Sequence, residues 1–201
     1  MNNKVTKGEF GYIEYCKKRG IIRTSLCLGL TLLCFFVGLI LTHTQKNLFS
    51  ILAALLCLPT GWFAVNMIMF IKAKGCNKDD YEKIENAKGG LLINYDLVIT
   101  AYDQNFNLGA ATVLDKNICC YSSDPSMEPG DCEKHINKMI AQSGYTDYSI
   151  KIFDNIDKYV DRLRTLDKLR SDKNIDPQAI EDNWERGTVQ TPTGILLSIS
   201  L

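Results

Sequence analysis

The stretch IIRTSLCLGLTLLCFFVGLILT (residues 21–42), the pentapeptide HTQKN (43–47) and LFSILAALLCLPTGWFAVNMIMFI (48–71) decide how this chain is read. A helix rises about 1.5 Å per residue, so about 20 apolar residues cover a hydrocarbon core of about 30 Å. Each run reaches that length. Charged side chains are absent from residues 24–42 and 47–71, whereas a soluble core helix keeps one polar face. Five linking residues oblige the two helices to run antiparallel. The pattern therefore predicts a transmembrane helical hairpin, with the lipid bilayer as its partner. A cleaved leader fits less well: the first run exceeds the usual leader length, no small-x-small cleavage site follows it, and a second span comes at once.

Charge orients the hairpin. Lys4, Lys7, Lys17, Lys18, Arg19 and Arg23 stand before or just inside the first run, Lys72, Lys74 and Lys78 follow the second, and the link holds Lys46 alone. Short basic flanks stay on the cytoplasmic side, which predicts two spans with both termini cytoplasmic. Residues 1–74 carry nine Lys and Arg against two Asp and Glu, and residues 75–201 carry fourteen against twenty-one. A net charge of zero thus conceals a basic anchor and an acidic domain. Nucleic acid is not an expected partner of such a domain, because phosphate backbones need a basic surface. Eight cysteines, three of them within the spans, show no framework spacing and suit a reducing cytosol.

Within the hairpin, Ser25, Gly29 and Gly38 are small residues that allow close helix approach, inside the hairpin or between copies. Pro59 and Gly61 should bend the second helix, beside Trp62. Asn66 is the strongly polar side chain in mid-span and is expected to bond across to a neighbouring helix. Residues 1–20 read as a basic, aromatic juxtamembrane segment, with Phe10, Tyr12 and Tyr15 at the headgroup layer.

After a stalk over residues 72–90, residues 91–201 are long enough for a single small domain. Branched and aromatic runs at 91–102, 108–114 and 118–122, separated by short polar turns, predict an antiparallel meander. A helix over 130–143 carries Cys132, Ile136, Met139 and Ile140 on one face. A fourth strand lies within 145–153. Asp154 is expected to cap a helix with the stripe Ile156, Tyr159, Val160, Leu163, Leu166 and Leu169, and Pro177 to open another reaching about residue 186. The segment 195–201 reads as a last strand or a tail buried on the core. The expected fold class is a membrane-anchored α+β protein of order β-β-β-α-β-α-α-(β). Its mixed sheet has four or five strands, with helices on one face.

Chemistry is sparsely encoded, and no cofactor is implied. Cys120, Cys132 and His135 form the best metal-ligating constellation, but Cys119 and Cys120 are neighbours on a strand and face opposite ways. A metal-dependent nuclease would need Asp96, Asp103, Asp115 and Lys116 clustered in one groove. No acid-x-Lys pair lies on a strand, and Glu85 and Lys88 fall on a helical stretch. The charges from Lys158 to Arg170 mix both signs at helical spacing: a solvated face, or a docking face for a protein.

The soluble region, through Glu133-Lys134-His135-Ile136, Ser143-Gly144-Tyr145, Ile150-Lys151-Ile152-Phe153 and the ending Leu196-Leu197-Ser198-Ile199-Ser200-Leu201, resembles a family of small Firmicutes proteins. These have an N-terminal two-helix anchor, and some are labelled O-linked GlcNAc transferase-like. The resemblance implies a Gram-positive plasma membrane. The label implies nucleotide-sugar transfer, whose metal-binding acidic pair or Rossmann-like half has no counterpart motif here. The leading expectation is a non-enzymatic module that binds a protein partner or itself at the cytoplasmic face, and that stays folded when residues 1–74 are removed. The alternatives are a tethered enzyme, nuclease-like or glycosyltransferase-like, and an accessory subunit of a transporter.

Overall fold

A computed structural model describes residues 4–44, 46–102 and 104–201, so Gln45 of the link and the candidate Asp103 lie outside the described residues. The chain forms two compact units, Ile13–Ala73 and a second one that joins residues 4–12 to Lys74–Leu201.

The first unit is a pair of helices, α1 (Tyr12–Thr42) and α2 (Leu48–Lys72), each long and apolar enough to cross a membrane. Thr24, Thr31 and Gly38 are buried on α1 at intervals of seven residues, two helical turns. The Thr31 and Thr60 hydroxyls meet at 3.3 Å. A Cβ on Gly38 would collide with Phe49, and one on Gly20 would lie 3.4 Å from the Met67 Cα. Ser25 is exposed, and a Cβ on Gly29 would meet nothing. Gly38, Gly20, Thr24 and Thr31 are thus the closely packed positions of α1, whereas Ser25 and Gly29 lie away from α2. Helix α2 runs unbroken through Pro59, and Gly61 faces open space. Asn66 does not reach across: its amide donates 2.9 Å to the Trp62 carbonyl, one turn back in its own helix. Asn47 caps α2 by accepting the Ser50 N–H at 2.8 Å.

The second unit contains α3 (Lys78–Ala87), β1 (Ile93–Thr100), β2 (Asn105–Leu114), β3 (Asn117–Tyr121), α4 (Pro129–Gln142), β4 (Ser149–Phe153), α5 (Ile156–Lys173), α6 (Pro177–Asp182) and α7 (Pro192–Ile199). The four strands lie in sequence order, antiparallel from β1 to β3 and parallel between β3 and β4. This is the expected mixed sheet in an α+β unit. Its helices, however, cover both faces. Helices α4 and α7 pack through Cys132, Ile136, Ile140, Ile195 and Leu196 on one side, and α3 and α5 through Ile84, Tyr159, Leu163 and Leu166 on the other. Strand β3 divides between them: Ile118 and Cys120 join the first core, Cys119 and Tyr121 the second. A run that is buried and apolar at successive positions, Ile118 to Tyr121, is the mark of a sheet covered on both faces.

The expected last strand is helix α7. Thr191 caps it by accepting the Gly194 N–H at 3.0 Å, and Pro192 opens its first turn. Among the described residues, strand-like pairing of this segment is confined to its end, where Ser200 bridges Ile99 and the Leu201 N–H donates to Val98 at 2.9 Å. Helix α5 is capped by Asn155 rather than Asp154.

Asp96 organises the entry to this unit. It has a left-handed φ of 55° in mid-strand. Side-chain alternation reverses there: Ile93 and Tyr95 lie in one core, Leu97 and Ile99 in the other. The carboxylate, 4 % exposed, accepts the Gly11 N–H at 2.7 Å and the Cys76 N–H at 2.8 Å. Residues 4–12 are therefore part of the domain. Tyr95 donates its N–H to Gly8 at 2.7 Å, Lys7 donates to the Ser200 carbonyl at 2.6 Å, and Phe10 stacks on Tyr81 at 4.1 Å. Phe10 thus occupies an aromatic pocket of the domain, in place of the headgroup position expected for it.

Asp96→Ala strands two buried amides at about 1–3 kcal/mol each and puts alanine in the left-handed region at about 1 kcal/mol more. Thermal unfolding of the full chain in detergent should show a loss of about 3 kcal/mol or more. Asp96→Asn, which keeps an acceptor and tolerates that φ, should fall between. Wild-type stability in Asp96→Ala would mean that the amides find other partners.

Candidate functional site

A dense polar knot surrounds Asp124, just after β3. Lys74 donates to its carboxylate at 2.9 Å, the Asn107 amide at 2.7 Å, and the Ser126 hydroxyl at 2.7 Å. The Lys74 N–H also donates to the Asn107 side chain at 3.2 Å. Burial alone would raise the Asp124 pKa, but Lys74, Ser126 and Asn107 outweigh it and hold the carboxyl far below its ordinary value. Lys74, read from sequence as a topology-setting flank, is thus also an ion-pair partner inside the domain. Of the other flank residues, Lys18 pairs loosely with Glu14 at 3.8 Å and Arg19 lies over the Tyr15 ring at 5.9 Å. Lys17 and Arg23 are carried on α1, and Lys72 forms the last turn of α2.

The constellations singled out in the sequence separate. Cys120 and Cys132 are buried together on the α4 side, whereas Cys119 faces α5. The His135 Nε2 is buried without a hydrogen-bond partner, its ring 6.1 Å from that of Phe106. Among the described residues no three His, Cys, Asp or Glu side chains converge as a metal requires. Burial pushes the Cys132 thiol up to about 12 and the Cys120 thiol well above its ordinary value, so neither is a ready thiolate.

The nuclease arrangement is not assembled either. The neighbours of Asp96 pair with Ala110 and Leu108, about six residues along β2 from Asp115 and so roughly 20 Å away. Asp115, in the β2–β3 turn, binds Lys173 at 2.6 Å, and Lys116 lies 3.7 Å from Asp147. Glu85 and Lys88 pair with each other at 2.7 Å on α3, and Glu85 also accepts from the Tyr95 hydroxyl at 2.7 Å.

Two surface depressions stand out among the described residues. A groove of about 490 Å³ runs between α5 and the β3–β4 pair, lined by Cys119, Lys151, Phe153, Lys158 and Arg162 with the Ser149 and Thr165 side chains. The Arg162 guanidinium donates to the Asn117 side chain at 3.0 Å. Burial raises the Cys119 thiol, although Arg162 and Lys151 pull it down. A smaller depression of about 230 Å³ is apolar, with Tyr148, Ile175, Pro177, Ile180 and Pro192 around Asp115 and Glu181. The groove is not visible as a local pattern because its cations come from two element types, Lys151 from a strand and Lys158 and Arg162 from a helix. A local signal did exist: Lys158 and Arg162 are like charges at i, i+4, which repel unless something compensates them.

Asp124 is protonated more readily unfolded than folded, so its contribution is present above about pH 4 and lost as pH falls below that. Arg170 and the Gly90 amide hold Asp167 low as well. The melting temperature should therefore drop on acidification below about pH 4, and Asp124→Asn should flatten part of that drop, read by circular dichroism. An unchanged slope would show the knot to be energetically silent. Set against known protein families, characterised proteins and solved structures, the chain matches none.

Proposed function

We propose that this chain is a membrane-anchored binding module: a helical hairpin that crosses a bacterial plasma membrane twice and holds an acidic α+β domain at its cytoplasmic face, where the domain docks a protein partner or a second copy. The anchor is supported by the outward surface of the two helices. Leu26, Ile40, Leu48, Leu58 and Trp62 are all about two-thirds exposed or more, and an apolar patch of that extent needs a cover other than water. Residues 4–12 and Lys74–Leu201 form one folded unit, which supports both ends of the chain lying on one side. The basic flanks favour the cytoplasmic side, and the resemblance to a Firmicutes family favours a bacterial membrane.

The observation that carries the docking role is the segment formed by α6 and the residues that follow it. Ile180, Trp184 and Val189 are among the few exposed large apolar side chains of the domain, and the Trp184 indole donates to the Val189 carbonyl at 3.1 Å. Exposed aromatic and aliphatic groups held in place are what protein interfaces use as anchors.

Crosslinking and affinity purification of the full chain from native membranes should yield one dominant stoichiometric partner, or a homo-oligomer, and Ile180→Glu with Val189→Glu should abolish it. Recovery that is unaffected by both substitutions, or no specific partner, would overturn the docking role. Tags at both termini should be reached only from the cytoplasm and a tag at Lys46 only from outside. Excising residues 13–73 with a short Gly/Ser joint should leave a folded domain, whereas deleting 1–74 should destabilise it by removing Lys7, Gly8 and Phe10 from their sites.

A further inference from the structure

The groove between α5 and the β3–β4 pair is a concentration of uncompensated positive charge in an acidic domain. Fourteen Lys and Arg lie in residues 75–201, and eight of them make ion pairs. Of the six that make none among the described residues, Lys151, Lys158 and Arg162 line this one groove. The groove's carboxylate, Asp161, is directed to Arg164 at 3.3 Å. The same domain carries twenty-one Asp and Glu, so carboxylates to neutralise these three cations were available and are placed elsewhere. Three like charges on one concave wall repel one another until an anion joins them.

Two of the three cations are also held. Asn117 binds the Arg162 guanidinium at 3.0 Å, fixing a planar fork against the floor formed by Cys119. The Lys151 ammonium lies 5.9 Å from the Phe153 ring centre, a cation–π distance. Lys158 stands one helical turn before Arg162 and on the same face. Ser149 and Thr165 add hydroxyls to the wall. A guanidinium fork, two ammonium groups and hydroxyls match the oxygens of a phosphate group, which takes bidentate Arg contacts and point-charge Lys contacts together. The volume, about 490 Å³, accommodates more than a bare phosphate.

From this geometry we infer that the α5–β4 groove binds a phosphate-bearing ligand, with Arg162, Lys158 and Lys151 as its anion contacts. The phosphate belongs either to a soluble phosphate ester or to a phospholipid headgroup. Nucleic acid fits neither the groove's short wall nor the net negative charge around it.

The test uses the full chain in phosphatidylcholine nanodiscs at low salt, titrated calorimetrically with inorganic pyrophosphate and separately with monomeric dihexanoyl phosphatidic acid. A Kd below about 1 mM for at least one probe is expected. Binding of pyrophosphate points to a soluble ester; binding of the short lipid alone points to a headgroup. Lys158→Gln and Lys151→Gln should each weaken binding by about fivefold or more, and Arg162→Gln by about tenfold or more. Lys138→Gln, which removes an unpaired cation of α4 outside the groove, should leave it unchanged. The exposed lysine variants guard against misreading a fold defect in Arg162→Gln, and each must melt as the wild type does. Absence of binding by both probes, or equal weakening by Lys138→Gln and the groove variants, would overturn the assignment.

Discussion

The Asp96 carboxylate is the interaction on which the remainder of the domain rests. It sits where β1 reverses its side-chain alternation, so it is built into the one place at which the sheet turns its two halves toward different cores. From there it fastens the chain that precedes the hairpin and the chain that follows it. A buried carboxylate costs several kcal/mol unless it is hydrogen bonded, and here backbone amides are its acceptable partners. The edge of β1 is then closed from both ends of the molecule, by Gly8 at Tyr95 and by Leu201 at Val98. A strand edge covered in this way is not offered to other chains.

Element type was legible from the sequence wherever a local period was strong. The two apolar runs, the meander to Tyr121, the stripe of α4 and that of α5 all follow from spacing alone. What periodicity could not supply was anything decided by non-local partners. The Ile195–Leu201 segment looks strand-like by composition, yet Thr191 and Pro192 ahead of it start a helix. Both faces of the sheet are covered, a property signalled only by the unbroken apolar run of β3. Residues 4–12 read as membrane flank because their basic and aromatic content suits headgroups equally well. Their actual partners, Asp96, Tyr81 and Ser200, are about 70–190 residues away, beyond any local pattern.

The same limit applied to the candidate sites. Cysteine and histidine spacing drew attention to Cys132 and His135, and carboxylate content to Asp96 and Asp115. Folding buries Cys132 and the His135 Nε2, and it sets Asp96 opposite the middle of β2 while Asp115 lies just beyond that strand's end. The positive groove was hidden for the reverse reason: its three cations come from β4 and α5 and are embedded in stretches rich in both signs. A zero net charge, and even a net of seven negative charges over the domain, says little about one wall of one cleft.

Because the domain is completed by residues on both sides of the hairpin, the hairpin is an insertion within a folded unit rather than a leader attached to one. During synthesis the first dozen residues emerge without their binding site, since Asp96 and Tyr95 follow only after both long helices have been made. Any process that parts those residues from Lys74–Leu201 leaves the Gly11 site on Asp96 and the Gly8 site on Tyr95 unfilled. Once the domain has formed, the chain on both sides of the hairpin is tied into it, through Gly8 and Gly11 ahead of α1 and through Cys76 after α2.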